Sequence, residues 1–545
     1  MKDTDAPTQS AAEIIAARLA EAGCRYAFGI PGGEVLALMD ALDRAGLRVT
    51  LVKHENSGGF MAEGSWHASL AAGGNAPGVL FATIGPGIAN AANVIANAWQ
   101  DRVPMIVLTG CVPSVEQHTY THQVFDQVDF LKSITKASIK VEPGTAALCI
   151  DKALKIATTG RPGPVVLDVP IDVQRERPDN WALSSHRAES AMAPAGAALD
   201  EARAWLAAAV RPIVIAGLDV LTQGAGDAVA AFCRRYNAPV IAAYKAKGVI
   251  PESDPLSMGG AGLSPIADRT LLPLLQSSDC VILAGYDPIE MRIGWRDPFA
   301  DGQRVIDIAA EPNTHYMHQA ALNFTGDVAA SLAALSSVEP RPTWPGGEPA
   351  AAKAALRAAF KVDEDWGPAA VVNEARRACP PNTVATVDSG AHRIVLSHVW
   401  ESDHLGGLLQ STALCTMGCA VPLAMGRKLA EPDRPVIAFV GDAGLEMFLG
   451  ELATARDLAL GLPIVVFVDT QLGLIELKQR NSQMGNLGVE FGATEFSKVA
   501  EALGGHGADV DNRADLNAAI QSAFKRDSFT LISAHIGKNA YDGRI

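Results

Sequence analysis

Short, wholly apolar runs recur along this chain, each leading through a polar or glycine-bearing turn into a helix-period stretch, and this alternation limits the possible folds more than any other feature. Between residues 11 and 173 the runs fall at 25–29, 49–52, 78–83, 104–109 and 164–168. The same style continues at 212–216, 239–242, 280–284 and 303–307, and again at 383–388, 435–440, 463–468 and 530–534. Apolar strands joined by helices belong to parallel sheets covered on both faces, because each crossover returns the chain to the same end of the sheet. The expected class is α/β, with three doubly wound parallel-sheet domains.

A chain of 545 residues also exceeds what one hydrophobic core supports. A polar stretch at 174–194 and a Pro- and Gly-rich stretch at 340–349, followed by an alanine-rich helix at 350–359, mark the breaks. The predicted domains are 1–175, 190–340 and 355–545. No short-period repeat is evident, yet the first and third have similar lengths and the same style.

The formal net charge of -15 disfavours nucleic-acid and anionic-membrane partners, which require a basic footprint. No run of about 18 apolar residues suggests a membrane span. The eight cysteines are scattered without a Cys-x-x-Cys pair and read as reduced packing residues. The start, Met1-Lys2-Asp3-Thr4-Asp5, is polar and leads into an amphipathic helix at 11–22, unlike a signal peptide, so a cytoplasmic location is expected.

The chemistry concentrates in the third domain. The strand at 435–440 runs into Gly441-Asp442-Ala443-Gly444 and then a predicted helix at 446–460. Strand, glycine turn and helix N-terminus together present N–H groups to a phosphate. A carboxylate at that point suits a bound anion only if a hard cation such as Mg²⁺ lies between them. Asp469 ends the next strand, so both acids fall on the carboxyl edge of one sheet, where open α/β sheets bind ligands. On spacing alone, both also suit ordinary turn and cap positions.

The stretch from Gly441 to Gln471 resembles the diphosphate motif of thiamine-diphosphate enzymes, with the spacing of the acetolactate synthase group. It departs twice: Ala443 replaces the last glycine of Gly-Asp-Gly, and Val468-Asp469 stands for Asn-Asn. The resemblance extends over nearly the whole chain, through Phe28-Gly29-Ile30-Pro31-Gly32-Gly33, Lys53-His54-Glu55-Asn56, Gly85-Pro86-Gly87-Ile88-Ala89-Asn90, Asp101-Arg102-Val103-Pro104, Ile134-Thr135-Lys136 and 159–164.

It implies pyrimidine-binding, central and diphosphate-binding domains in that order, thiamine diphosphate as cofactor, and Mg²⁺ held by Asp442, Asp469 and the main-chain carbonyl of Gln471. Glu55 would hydrogen-bond the cofactor's pyrimidine and so promote loss of the thiazolium proton. In isolation Glu55 would read as a solvated strand-end residue. Pro31, Gly32, Gly33, Gly85, Asn90, Gly390, His392, Gly441, Ala443 and Gly444 would border the cofactor, with Ala391 departing from the usual glutamine. The carbonyl of Cys415 would accept from the aminopyrimidine, and Met417 would wedge between the two rings.

His122 and Gln123 occupy the place of a Phe-Gln pair that faces the reacting carbonyl, where a histidine could exchange a proton near neutral pH. A surface-loop histidine is the plain alternative. The segment 285–290 is similar to the flavin-free catabolic branch, which argues against FAD, although the sequence departs from that branch after Glu290.

Three functions stay open: a decarboxylase and carboligase of acetolactate synthase type on a 2-oxo acid; a lyase or transferase on another 2-oxo acid, hydroxyketone or aldehyde, which His122 favours; and a nucleotide-binding oxidoreductase or non-catalytic homologue. The last lacks a clean Gly-x-Gly-x-x-Gly after a strand. The resemblance also implies a homodimer as the minimal active unit, or a homotetramer, with small-molecule substrates.

Overall fold

The computed structural model describes residues 9–178, 191–289 and 291–545. The Met1–Asp5 start, most of the expected linker at 174–194 and Glu290 lie outside them. The first sheet contains β1 (Tyr26–Ile30), β2 (Arg48–Leu51), β3 (Gly78–Ala82), β4 (Met105–Cys111), β5 (Ala137–Lys140) and β6 (Pro164–Pro170), in the order β2-β1-β3-β4-β6-β5. The second contains β7 (Pro212–Ala216), β8 (Val240–Ala243), β9 (Ser257–Ala261), β10 (Cys280–Ala284), β11 (Arg304–Ala309) and β12 (Leu322–Thr325), ordered β12-β11-β10-β7-β8-β9.

The third contains β13 (Val384–Val387), β14 (Leu408–Gln410), β15 (Val436–Gly441), β16 (Pro463–Val468), β17 (His506–Val510) and β18 (Thr530–His535), ordered β14-β13-β15-β16-β18-β17. Neighbouring strands pair in parallel throughout, as in Met105↔Pro164, Cys280↔Pro212 and Val465↔Ile532. The predicted class holds, and the first and third sheets share one strand order.

Local chemistry explains the element starts. The helix Ala11–Glu21 opens with a capping box: Glu13 N donates to Ser10 Oγ at 3.3 Å, and Ser10 N donates to Glu13 Oε2 at 2.7 Å. One expectation needs correction. In place of a single helix at 446–460 the chain forms two, Asp442–Glu446 and Glu451–Asp457, with low-propensity Gly450 between them. The helical turn therefore begins at Asp442 itself.

By packing, the chain divides into two compact units. One is Met1–Ala188 with Pro422–Asp433 and Phe448–Leu458; the other is Glu189–Val421 with Arg434–Met447 and Ala459–Ile545. Within the first unit, a Cβ on Gly64 would lie 2.4 Å from the carbonyl oxygen of Leu423, so the helix Glu55–Ala71 packs there backbone to backbone. Lys53 N donates to buried Glu451 at 2.9 Å. In the second unit one apolar core, including Ile213, Val281, Val372 and Phe439, is shared by the second and third sheets. All eight cysteines are free, and all but half-buried Cys415 are buried. Among the described residues no helix is long and apolar enough to cross a membrane.

Candidate active site

In the second unit the carboxyl ends of β13, β15 and β16 open on a cavity of about 140 Å³. Ser389, Gly390, Ala391, His392, Met417, Gly441, Asp442, Ala443, Gly444, Phe467, Asp469 and Gln471 line it, with 472–475 and Tyr541. Asp442 anchors the edge: it accepts from Ala443 N at 2.8 Å, Asp469 N at 3.1 Å and Thr470 N at 2.7 Å. Those three bonds tie the ends of adjacent strands β15 and β16 together around one carboxylate. Asp469 in turn accepts from Gln471 N at 3.3 Å.

The two acids are hard to bury together. Burial first, and Asp442 beside it second, push the Asp469 carboxyl up to about 7. Burial also raises Asp442, against the lowering effect of its backbone hydrogen bonds and of His392. Among the described residues no lysine or arginine bridges to either. Two carboxylates lining one cavity are hard oxygen donors of the kind a divalent cation takes, so the residues fit Mg²⁺. Gln471 also carries a buried side-chain nitrogen without a partner.

A third carboxylate lies behind the lining residues. Fully buried Asp388, at the end of β13, receives His392 Nε2 at 2.7 Å, Gly418 N at 2.6 Å and Gly441 N at 3.2 Å. His392 stacks on Phe467, with ring centroids 5.1 Å apart. A Cβ on Gly444 would lie 2.2 Å from Asp388 Oδ2, so glycine is required there, whereas the preceding Ala443 is accommodated. Cys415 has a positive φ of 58°, lies outside the cavity lining, and its sulfur accepts from Arg393 at 3.3 Å.

In the first unit Glu55 begins the helix Glu55–Ala71 directly after β2 and is 4% exposed. Its Oε2 accepts from Asn90 Nδ2 at 3.0 Å, and Oε1 has no donor among the described residues. A Cβ on Gly87 would sit 3.2 Å from that Oε1 and 2.9 Å from Thr83 Cγ2, while one on Gly32 would meet Thr83 Oγ1 at 2.0 Å. The Pro31–Gly33 turn, Thr83, the Gly85–Gly87 turn and Glu55 thus form one cluster at the carboxyl ends of β1, β2 and β3. Gln123 and His122 lie in the loop after β4 with exposed side chains; His122 meets Tyr120 edge-on at 6.3 Å. The main chain of Gln123 packs on Gly85, where a Cβ would lie 2.3 Å from its carbonyl oxygen.

Every third-domain residue expected at the cofactor except Cys415 therefore lines one cavity, and Glu55, Asn90 and the two glycine turns share another locus. Sequence reasoning gives no role to Asp388, Tyr541, Gln127 or Asp168. For Asp388 the available signal is its position at the end of an apolar run; the others are brought in only by the tertiary fold.

Known proteins bear on this arrangement. Three family models match in order: the thiamine pyrophosphate enzyme N-terminal TPP binding domain over 9–130, the central domain over 199–335 and the C-terminal TPP binding domain over 388–534. Thiamine pyrophosphate is thiamine diphosphate by another name, so the chain has the domain set of that enzyme class. Similar proteins include the acetolactate synthase isozyme 1 large subunit of Escherichia coli (strain K12), 31% identical over 96% of this chain and 93% of that protein. The acetolactate synthase of Bacillus subtilis (strain 168) is 27% identical over 96% and 93%. The probable 2-ketoarginine decarboxylase AruI of Pseudomonas aeruginosa is 28% identical over 96% and 94%. The chain belongs to the acetolactate synthase family of thiamine-diphosphate-dependent enzymes.

Proposed function

We propose that this chain is a Mg²⁺-dependent decarboxylase and carboligase of 2-oxo acids, acetolactate-synthase-like, working in the cytoplasm as a homodimer or homotetramer and without FAD. Its domains are 1–175 for the pyrimidine, 190–340 as the central domain and 355–545 for the diphosphate. The observation that carries the reading is the buried pair Asp442 and Asp469, two adjacent acids with no basic side chain bridging to them among the described residues. A bound divalent cation would offset that repulsion.

Thiamine diphosphate, when bound, would supply a nucleophilic carbon and an electron sink. The protein's own work is positioning and proton handling. Asp442, Asp469 and the Gln471 carbonyl would hold the cation, while Gly390, His392, Gly441, Ala443 and Gly444 would border the diphosphate. Glu55, fixed by Asn90 and buried away from competing water, keeps one oxygen for the pyrimidine ring and governs its proton. Cys415 would offer its carbonyl to the aminopyrimidine, and Met417, which lines the cavity, would wedge between the two rings. His122 and Gln123 would face the carbonyl, and Pro31, Gly32, Gly33 and Gly85 would border the cofactor, with the main chain of Gln123 resting on Gly85.

A second reading keeps all of this and changes the 2-oxo acid. It is favoured by His122 in the Phe-Gln place and by a relative named for 2-ketoarginine. Both readings are tested by a panel of 2-oxo acids, alone and with acceptor aldehydes, assayed for CO₂ and product identity with added thiamine diphosphate and Mg²⁺. Acetolactate from pyruvate selects the first reading, and CO₂ from another 2-oxo acid the second; no Mg²⁺-dependent cofactor affinity sinks both. Glu55→Gln should retain cofactor binding and lose turnover by about 10²- to 10⁴-fold, the usual worth of a positioned acid or base.

A further inference from the structure

One buried amide in the first unit links three parts of the site. Gln127 directly follows the loop that carries His122 and Gln123, begins the short helix Gln127–Leu131 and is 2% exposed. Its Oε1 accepts from Gly85 N at 3.0 Å; its Nε2 donates to Gly110 O at 3.1 Å and to Asp168 Oδ1 at 3.0 Å. One N–H on one side and two oxygens on the other define the amide's orientation and satisfy both its ends. Asp168 is itself buried, on β6, and so holds the amide from the interior of the sheet.

Gly85 is the hub. Its φ of +67° and the 2.3 Å approach of Gln123 O leave no room for a side chain, so the loop lies directly on the turn. The same turn starts the helix Pro86–Gln100, which carries Asn90 to Glu55. Gln127 therefore grips the Gly85 turn through its N–H while the chain four residues earlier rests on that turn. Freed from this grip, the loop could shift relative to the Glu55 carboxylate.

We infer that Gln127, held by Asp168, is a positioning residue for substrate: it fixes the 113–126 loop on the Gly85 turn and so sets where His122 and Gln123 stand. The inference rests on the proposed function for the claim that this loop faces the carbonyl, but the tether has a readout of its own. Gln127→Glu, read at about pH 9 or above so that the new carboxyl does not share a proton with Asp168, places an acceptor where the amide donates to Asp168 and Gly110, while keeping the size and the acceptor for Gly85 N.

With that variant, hydrogen exchange over 113–126 and at the Gly85 amide should speed up. The KM for the 2-oxo acid should rise by about tenfold, more than kcat falls, as expected when orientation of a bound substrate is loosened. Thiamine diphosphate affinity, read by fluorescence quenching, should change by no more than about twofold. The double variant Gln127→Glu with Asp168→Asn restores a donor opposite the new acceptor and should recover most of the loss.

Should Gln127→Glu not fold, Asp168→Asn alone keeps an acceptor for the amide and should show the same pattern at about two- to threefold. Unchanged exchange over 113–126, or a double variant no better than Gln127→Glu, overturns the inference. Failure of the wild-type chain to bind thiamine diphosphate with Mg²⁺ overturns the functional reading instead, and is seen before any variant is made.

Discussion

At the residue scale, the decisive feature is how few side chains the site leaves replaceable. Asp442 accepts three backbone N–H groups from the ends of two strands, so Asp442→Ala both removes a cation ligand and strands buried donors. Isothermal titration should show Mg²⁺-dependent thiamine diphosphate binding lost in that variant. Gly444 is equally constrained. Gly444→Ala drives a methyl into Asp388 Oδ2 and should cost about 1–3 kcal/mol by urea denaturation, the range for overpacking a filled interior, while the natural alanine at 443 shows that its neighbour tolerates one. Metal removal is the complementary test: in the wild-type chain, cofactor with Mg²⁺ at a hundredfold excess over Kd should add about 2.7 kcal/mol of stability, which chelation abolishes.

At the element scale, burial of Asp168 on β6 should make stability depend on pH. Burial pushes the Asp168 carboxyl up to about 7, opposed by Lys140 on β5 and by hydrogen bonds from Gln127 and Cys111, and reinforced by Asp126. An acid whose folded pKa exceeds its unfolded value of about 3.9 takes up a proton on folding between those pH values. This group therefore strengthens the fold as pH falls from about 7 to 4, by at most about 4 kcal/mol. Asp168→Asn should flatten that part of the stability profile in urea titrations at stepped pH; an unchanged slope would falsify the assignment.

Strands also show what periodicity can reveal. The interior strands stand out because both faces are buried, giving uninterrupted apolar runs such as Val436–Gly441 and Pro463–Val468. The five absent from the sequence reading, β5, β9, β12, β14 and β17, all lie at sheet edges. There β12 alternates half-buried with exposed residues, β14 is three residues long and β9 contains two glycines, so no long apolar run forms. The acids and glycines of the site were legible because strand ends impose their residue types. The grips of Gln127, Asp168 and Asp388 were not, since each joins positions far apart in the chain.

At the scale of the whole molecule, the shared strand order of the first and third sheets places Glu55 after the second strand of one and Asp442 after the third strand of the other. If each site combines Glu55 of one subunit with Asp442 of its partner, two dead variants should complement. In a mixture of Glu55→Gln and Asp442→Ala subunits, each mixed dimer carries one intact site, so random reassociation should return about a quarter of wild-type activity. No recovery after confirmed subunit exchange would place both residues in the same subunit.

The first unit is assembled from three separate stretches, because Pro422–Asp433 and Phe448–Leu458 join Met1–Ala188 in it. No single cut can release it whole. Residues 1–188 expressed alone would present the bare backbone of Gly64, and a Lys53 N–H deprived of Glu451, to water, and should precipitate or bind dyes that report exposed apolar surface. Anyone seeking a minimal fragment of this enzyme would have to rejoin the missing helices by circular rearrangement of the gene rather than by truncation.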